Sequence, residues 1–201
     1  PAGSIEEQKP GPSLMPSGLA EPLTQAELAD LVRFLSELGK IGPYSVSKER
    51  VLRRWRLLES TGAAATALIR TSVDAVIQNQ DSWAWRPVYT TVGGVLPSAE
   101  LPLNPRVNNA PPIALAQTVV QLTTPGKIKL RFNSTKDLEF WIDGRRVEPS
   151  SDDPDALVLD LDRGAHALSV AFEPSRRPEG LRCVLEDVDG SSAQALPLLG
   201  K

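Results

Sequence analysis

Apolar positions keep a helical period near the start of this chain and a strand period over much of its length. Leu28, Leu31, Val32, Leu35 and Leu38 recur at three- and four-residue spacing, which predicts one buried stripe of an amphipathic helix. Thr24-Gln25-Ala26-Glu27 in front of it forms a capping box, and Gly39 supplies a stop. Ile41-Gly42-Pro43-Tyr44 ends the helical pattern. Val51, Arg53, Trp55 and Leu57 then alternate with Arg54 and Arg56, so a strand is expected, with a short helix as the alternative, and the charged stretch from Lys48 to Arg56 suits the wet face of that strand. Thr61 to Gln78 is Ala-rich around Leu68, Ile69, Val73, Val76 and Ile77, and predicts one or two short helices.

The second half reads as β. Val119 to Leu122 is apolar and β-branched, Thr124-Pro125-Gly126 is a turn, and Ile128, Leu130 and Phe132 alternate with Lys127, Lys129 and Arg131. Leu138 to Ile142 runs into Asp143-Gly144, whose glycine accepts the positive φ of a two-residue hairpin turn, and Arg145 to Val147 starts the return. Leu157 to Leu161, His166 to Phe172 and Leu181 to Glu186 give three further strands. Strands of this length and spacing predict a mainly β chain, an antiparallel β-sandwich preceded by the amphipathic helix and the short helices.

Composition narrows what such a chain does. Its 201 residues, 41% hydrophobic and 23% charged, suit one ordinary domain with a small appendage, and the net charge of −3 argues against a general nucleic-acid binder. No apolar run approaches the roughly 18 residues that span a bilayer. The single Cys183 allows no internal disulfide and reads as a small buried hydrophobe. Trp83, Trp85 and Tyr89 cluster closely, which fits either an anchor onto the core or a ligand-stacking surface. His166, the single His, shares a strand face with Leu168, Val170 and Phe172, and no Ser, Asp or Cys arrangement singles out a catalytic partner for it. Asp152-Asp153 reads as part of a solvated loop, since calcium needs six to eight converging oxygens. No zinc spacing, phosphate loop or nucleophile elbow is present, and nothing in these residues supports an enzyme.

Two stretches carry resemblances. Pro12-Ser13-Leu14-Met15-Pro16-Ser17-Gly18-Leu19, followed by Leu23-Thr24-Gln25-Ala26-Glu27-Leu28-Ala29-Asp30-Leu31-Val32-Arg33-Phe34-Leu35, resembles the end of the cytochrome c haem domain in the large multidomain, dehydrogenase-like proteins of planctomycetes and verrucomicrobia. The resemblance covers roughly the first forty residues. It implies that residues 1–40 are the C-terminal remnant of a haem domain, and that Met15 is the distal haem ligand in an intact parent. A Cys-x-x-Cys-His motif would then lie upstream, because one Cys and one His with sixteen residues between them cannot attach haem here. Haem c is thus expected in the parent and no cofactor in this piece. The partners implied are the parent's own haem and dehydrogenase-like domains, and the location is periplasmic or otherwise exported.

The second stretch is Gly126 to Phe132, Leu138-Glu139-Phe140-Trp141-Ile142-Asp143-Gly144 and Leu159 to Leu168. It resembles the strand-and-turn grammar of PA14-like and related jelly-roll β-sandwiches, over about fifty residues. Residues 44–201 are accordingly expected to form an accessory or binding domain. Some PA14 modules bind sugars through calcium held by paired Asp residues before the W-x-D-G strand. Here that position reads Asn133-Ser134-Thr135-Lys136-Asp137, with a Lys in place of one carboxylate, so calcium-dependent binding is not expected. The candidate ligand residues are Trp141, Asp137, Asp143, Trp83 and Trp85. The function expected is a non-catalytic docking or ligand-binding sandwich within an electron-transfer protein. A carbohydrate-binding module using Trp141 or the Trp83/Trp85 pair is the first alternative, and a self-contained hydrolase around His166 the second.

Overall fold

The structure is a computed structural model that describes residue 18, residues 21–37, residue 40 and residues 49–99, 101–107 and 110–197. The chain divides into two compact units, Pro1–Val46 and Ser47–Lys201. In the first, helix α1 spans Gln25–Glu37. The capping box is formed: Thr24 N donates to Glu27 Oε2 at 2.8 Å, and Glu27 N donates to Thr24 Oγ1 at 3.3 Å. Leu28, Leu31, Val32 and Leu35 are exposed, so the stripe has no cover among the described residues. Met15, Leu38, Gly39 and the Ile41–Tyr44 break lie outside the described residues.

The second unit is an antiparallel β-sandwich with two helices on one outer face. One sheet, here sheet A, orders β1 (Arg50–Val51), β11 (Leu181–Asp187), β6 (Gly126–Phe132) and β9 (Ala156–Leu161), with β4 (Val95–Leu96) also on β11. Sheet B orders β3 (Trp85–Tyr89), β2 (Arg54–Leu58), β5 (Ala114–Thr124), β10 (Gly164–Phe172), β7 (Leu138–Ile142) and β8 (Arg145–Val147). Strand β12 (Gln194–Pro197) pairs with β5 as well. Because strand side chains alternate faces, Trp55, Leu57, Ala116, Val170 and Phe172 of sheet B meet Ile128, Leu130, Phe132, Cys183 and Leu185 of sheet A in one buried core.

The stretch expected to be a single strand from Val51 to Leu57 changes sheets in mid-run. Leu52 N still donates to Cys183 O of sheet A at 2.9 Å, while the next residue's carbonyl, Arg53 O, accepts from Thr90 N just beyond β3 at 2.9 Å. The corner leaves the Leu52 carbonyl without a ladder partner, and buried Trp55 supplies one, Nε1 donating at 2.8 Å. Thr124-Pro125-Gly126 is likewise a corner between sheets rather than a hairpin, joining β5 of sheet B to β6 of sheet A. Asp143-Gly144 is the expected hairpin turn, with φ of 49° and 79° and Ile142 opposite Arg145.

The two short helices are α2 (Gly62–Arg70) and α3 (Val73–Gln78). Thr61 and Ser72 cap them, each side chain accepting from the amide three residues on. Ala64, Leu68, Val76 and Ile77 face down onto Leu58, Leu115, Ala171 and Trp141 of sheet B, forming a second buried cluster.

Candidate binding cleft

Directly opposed strand residues share a face, and register fixes one row across the outer face of sheet B. It runs Pro87, Arg56, Gln117, Ser169, Trp141, Arg146. At its Trp141 end the face lies beneath α2 and α3. Towards β3 it is open, and the opening has a cause in the ladder. Strand β2 is registered with β5 at Arg56↔Gln117 and Leu57↔Ala116, and β12 takes up the same edge from Val120 to Thr124. Between them, Thr118 and Val119 have no registered partner on that edge.

The parting strands leave a cleft of about 440 Å³ lined by Arg54, Arg56, Trp85, Pro87, Gln117, Thr118, Val119 and Ala167, with Trp55 at its base. Arg56 is held in place rather than neutralised. Its Nε donates to Gln117 Oε1 at 2.5 Å, its Nη2 reaches Gln80 Oε1 at 3.4 Å, and its guanidinium lies 5.0 Å over the Trp85 ring. Gln117 is buried and fully employed: its amide donates to Ser169 Oγ at 2.8 Å and, by a short bond, to Gln80 Oε1. Burial lowers the Arg56 pKa and the field of Asp81 partly opposes it, yet no carboxylate among the described residues is in ion-pair contact. Arg54 makes no ion pair or side-chain hydrogen bond among the described residues. Directly opposite it on the same face stands Tyr89, 65% exposed.

Of the residues singled out from the sequence, Trp85 belongs to this cleft, and its Nε1 is spent on Gln80 O at 2.8 Å. Trp83, beyond the end of α3, sits apart from the cleft and donates to Val76 O of that helix at 2.9 Å. Both pack partly against the second buried cluster, so the pair anchors the segment after α3 to the sheet. Trp141 offers no stacking face: it is 0% exposed beneath α3, donates to Asp74 Oδ1 at 2.8 Å and carries Arg146 at 5.5 Å from its ring. As a sugar platform it is therefore corrected to a core residue, because the helices cover the face the strand pattern would have exposed.

Asp143 is occupied at the hairpin. Its Oδ1 accepts from Ala167 N at 2.8 Å, and its Oδ2 lies 2.6 Å from His166 Nδ1. His166 Nε2 is 2.9 Å from Asp162 O. Both ring nitrogens thus face acceptors, an arrangement that only the doubly protonated ring satisfies. Burial pulls its pKa down, but the Asp143 hydrogen bond and the Asp162 carbonyl outweigh that, and the net shift is upward. The imidazole is a clasp between turn and strand, with no nitrogen left to act as a base.

The loop where the PA14-like pattern places calcium already holds a cation. Arg177, 2% exposed, donates through Nη1 to Lys136 O at 3.0 Å, and through Nη2 to Ser134 O at 3.1 Å and Asn133 Oδ1 at 3.2 Å. The oxygens a hard ion would need are taken by a guanidinium of the chain itself. Asp137, at φ 59°, points to no such site and lies 3.7 Å from Arg176. Asp153 is not simply solvated, as the loop reading had it: Arg131 holds it at 2.6 Å and Lys129 at 3.1 Å. Among the described residues no group of three or more His, Cys, Asp or Glu could hold a metal. Cys183 is buried, and burial pushes its thiol well up, with Arg182 acting weakly against this.

Alternation along the chain puts Arg54 and Arg56 on the wet face of a strand, where charge is ordinary. What distinguishes them, the lack of carboxylate neighbours across the strands, depends on register that alternation does not report. No helix of the described residues is long and apolar enough to cross a membrane. No protein-family model matches the chain, and comparison with curated proteins and with solved structures gave no match.

Proposed function

We propose that residues 47–201 form a non-catalytic ligand-binding module, and that it serves as the accessory part of an exported, multidomain c-type cytochrome protein. The observation that carries the binding reading is the open cleft on sheet B, where Arg54 and Arg56 stand with no neutralising carboxylate in contact. His166 and Asp143 are committed to each other, and Asp153 to its two cations, so the groups that would serve a hydrolase are structural. The cytochrome reading rests on the resemblance around Met15 and on the capping box that opens α1. In that reading haem c sits on the upstream domain and electron transfer is that domain's work, while the sandwich docks or holds a ligand.

Two measurements test these parts separately. Titrating the isotope-labelled protein with a panel of small saccharides and carboxylates, and following the Gln117 side-chain amide and the Trp85 indole by NMR, is expected to show saturable shifts confined to the cleft. Silence across the panel removes the binding reading. The polypeptide that carries this sequence in its natural source is expected to show the absorbance of covalently bound haem, altered by Met15→Ala. A haem-free product ends the cytochrome reading and leaves the cleft untouched.

A further inference from the structure

The geometry points to a ligand of definite chemistry for the cleft: we propose that it binds a sugar ring bearing a carboxylate, a hexuronate, with Arg54 and Arg56 taking the carboxylate and Tyr89 the ring. This rests on the binding-module reading above and narrows it.

The charge balance comes first. A guanidinium removed part-way from water without a counter-ion is costly, and several half-buried arginines of the second unit have carboxylate partners: Arg131 has Asp153 and Glu186, Arg182 has Glu49, and Arg50 has Asp187. Half-buried Arg53 is satisfied instead by the Thr91 and Val92 carbonyls, whereas Arg54 and Arg56, with no carboxylate in ion-pair contact, stand two residues apart on one strand face, beside a cleft. Arg56 is also pre-oriented. Gln117 and Gln80, themselves locked to each other and to Ser169, fix its Nε edge, and Trp85 fixes its plane. A planar fork held this way loses little entropy on accepting an anion and suits a planar carboxylate, which two adjacent donors grip in parallel.

The ring follows from the remaining surface. Val119 and Ala167 give an apolar floor, and exposed Tyr89 stands opposite Arg54 on the same face. An aromatic face beside two cations matches a pyranose, whose C–H faces are apolar while its carboxylate is charged. The volume, about 440 Å³, falls within the roughly 300–1,000 Å³ of small-ligand sites.

Calorimetry with trigalacturonate against its neutral counterpart, galactotriose, tests the assignment on the full chain. Trigalacturonate is expected to bind at least about tenfold more tightly, with affinity falling as salt screens the pair. Arg54→Gln, which removes no hydrogen bond or ion pair among the described residues, should weaken it about tenfold, Arg56→Gln more, and Tyr89→Ala several-fold, whereas Lys127→Gln, exposed on β6 of the other sheet, should not. Unchanged thermal midpoints certify that the variants are folded. Equal binding of the neutral trisaccharide, insensitive to Arg54→Gln, overturns the carboxylate assignment while the module remains a binder. Binding of citrate or inorganic phosphate as tight as trigalacturonate, insensitive to Tyr89→Ala, overturns the sugar and leaves a general anion site. No binding of trigalacturonate by the folded protein overturns the inference outright, and the wider saccharide and carboxylate panel then judges the module reading by itself.

Discussion

The outer faces of the two sheets carry similar residues and treat them differently. On sheet A, Lys129 and Arg131 of β6 interleave with Glu186 of β11 and Asp153, so each cation touches two carboxylates. The Arg131 hydrogen bond, then that of Lys129, holds the Asp153 carboxyl below its usual range. On sheet B, part of the face is closed by helices over Trp141, and the rest is open with two arginines lacking such partners. A chain with a formal charge of −3 thus presents a local cationic site, because register and not composition decides which charges are cancelled.

The contrast can be broken from its covered end first. Trp141→Ala removes the largest side chain beneath α3 together with its bond to Asp74, and is expected to cost about 3–5 kcal/mol in denaturant unfolding. A loss near that of a surface site would mean that the helices do not seal the face. Arg177→Met asks whether a buried cation held mainly by carbonyls, with Glu179 3.6 Å from its Nη2, is equally structural. It leaves the Ser134 and Lys136 carbonyls without their donor, and roughly 3 kcal/mol is expected by the same measurement.

His166 comes next, at about 1 kcal/mol for His166→Ala, spread over its bonds to Asp143 and the Asp162 carbonyl. Its folded pKa is raised, so the clasp contributes fully below the unfolded value of about 6.5 and fades as pH rises through the folded pKa. Wild-type stability should therefore lose a component above neutral pH that His166→Ala lacks, and parallel pH profiles would contradict the doubly protonated ring. The smallest effect is expected on sheet A. Asp153→Asn removes one member of a half-buried surface network, and its small loss should shrink further in high salt. Because the Asp153 pKa is depressed, its contribution is present above the unfolded carboxylate value and lost as pH falls through the folded one. A salt-insensitive loss as large as that of Arg177→Met would erase the distinction drawn between the two kinds of cation.

Much of the sandwich was legible in alternation and turn chemistry. The Asp143-Gly144 hairpin, the paired short helices and the strands around Ile128, Leu157, Val170 and Cys183 stand where period and punctuation put them. Alternation says which residues share a face but not which sheet a strand joins, so the change of sheets at Leu52-Arg53 was invisible. Strand β3 contains Pro87 and β4 has two residues, too short to show a period. Trp141 reads as a candidate stacking platform beside a turn because nothing local reveals that helices far upstream cover it. The cleft was the least legible part, since it arises where two strands part along a third.

That third strand has one more consequence. Strands β2 and β12, early and late in the second unit, lie along the same edge of β5, and Arg50 Nη1 reaches across to the Ala195 carbonyl at 3.2 Å. The sandwich is therefore entered and left at one corner. A fold with that property can be spliced into a longer polypeptide, or cut open elsewhere and rejoined there by a short bridge, without any strand changing neighbours.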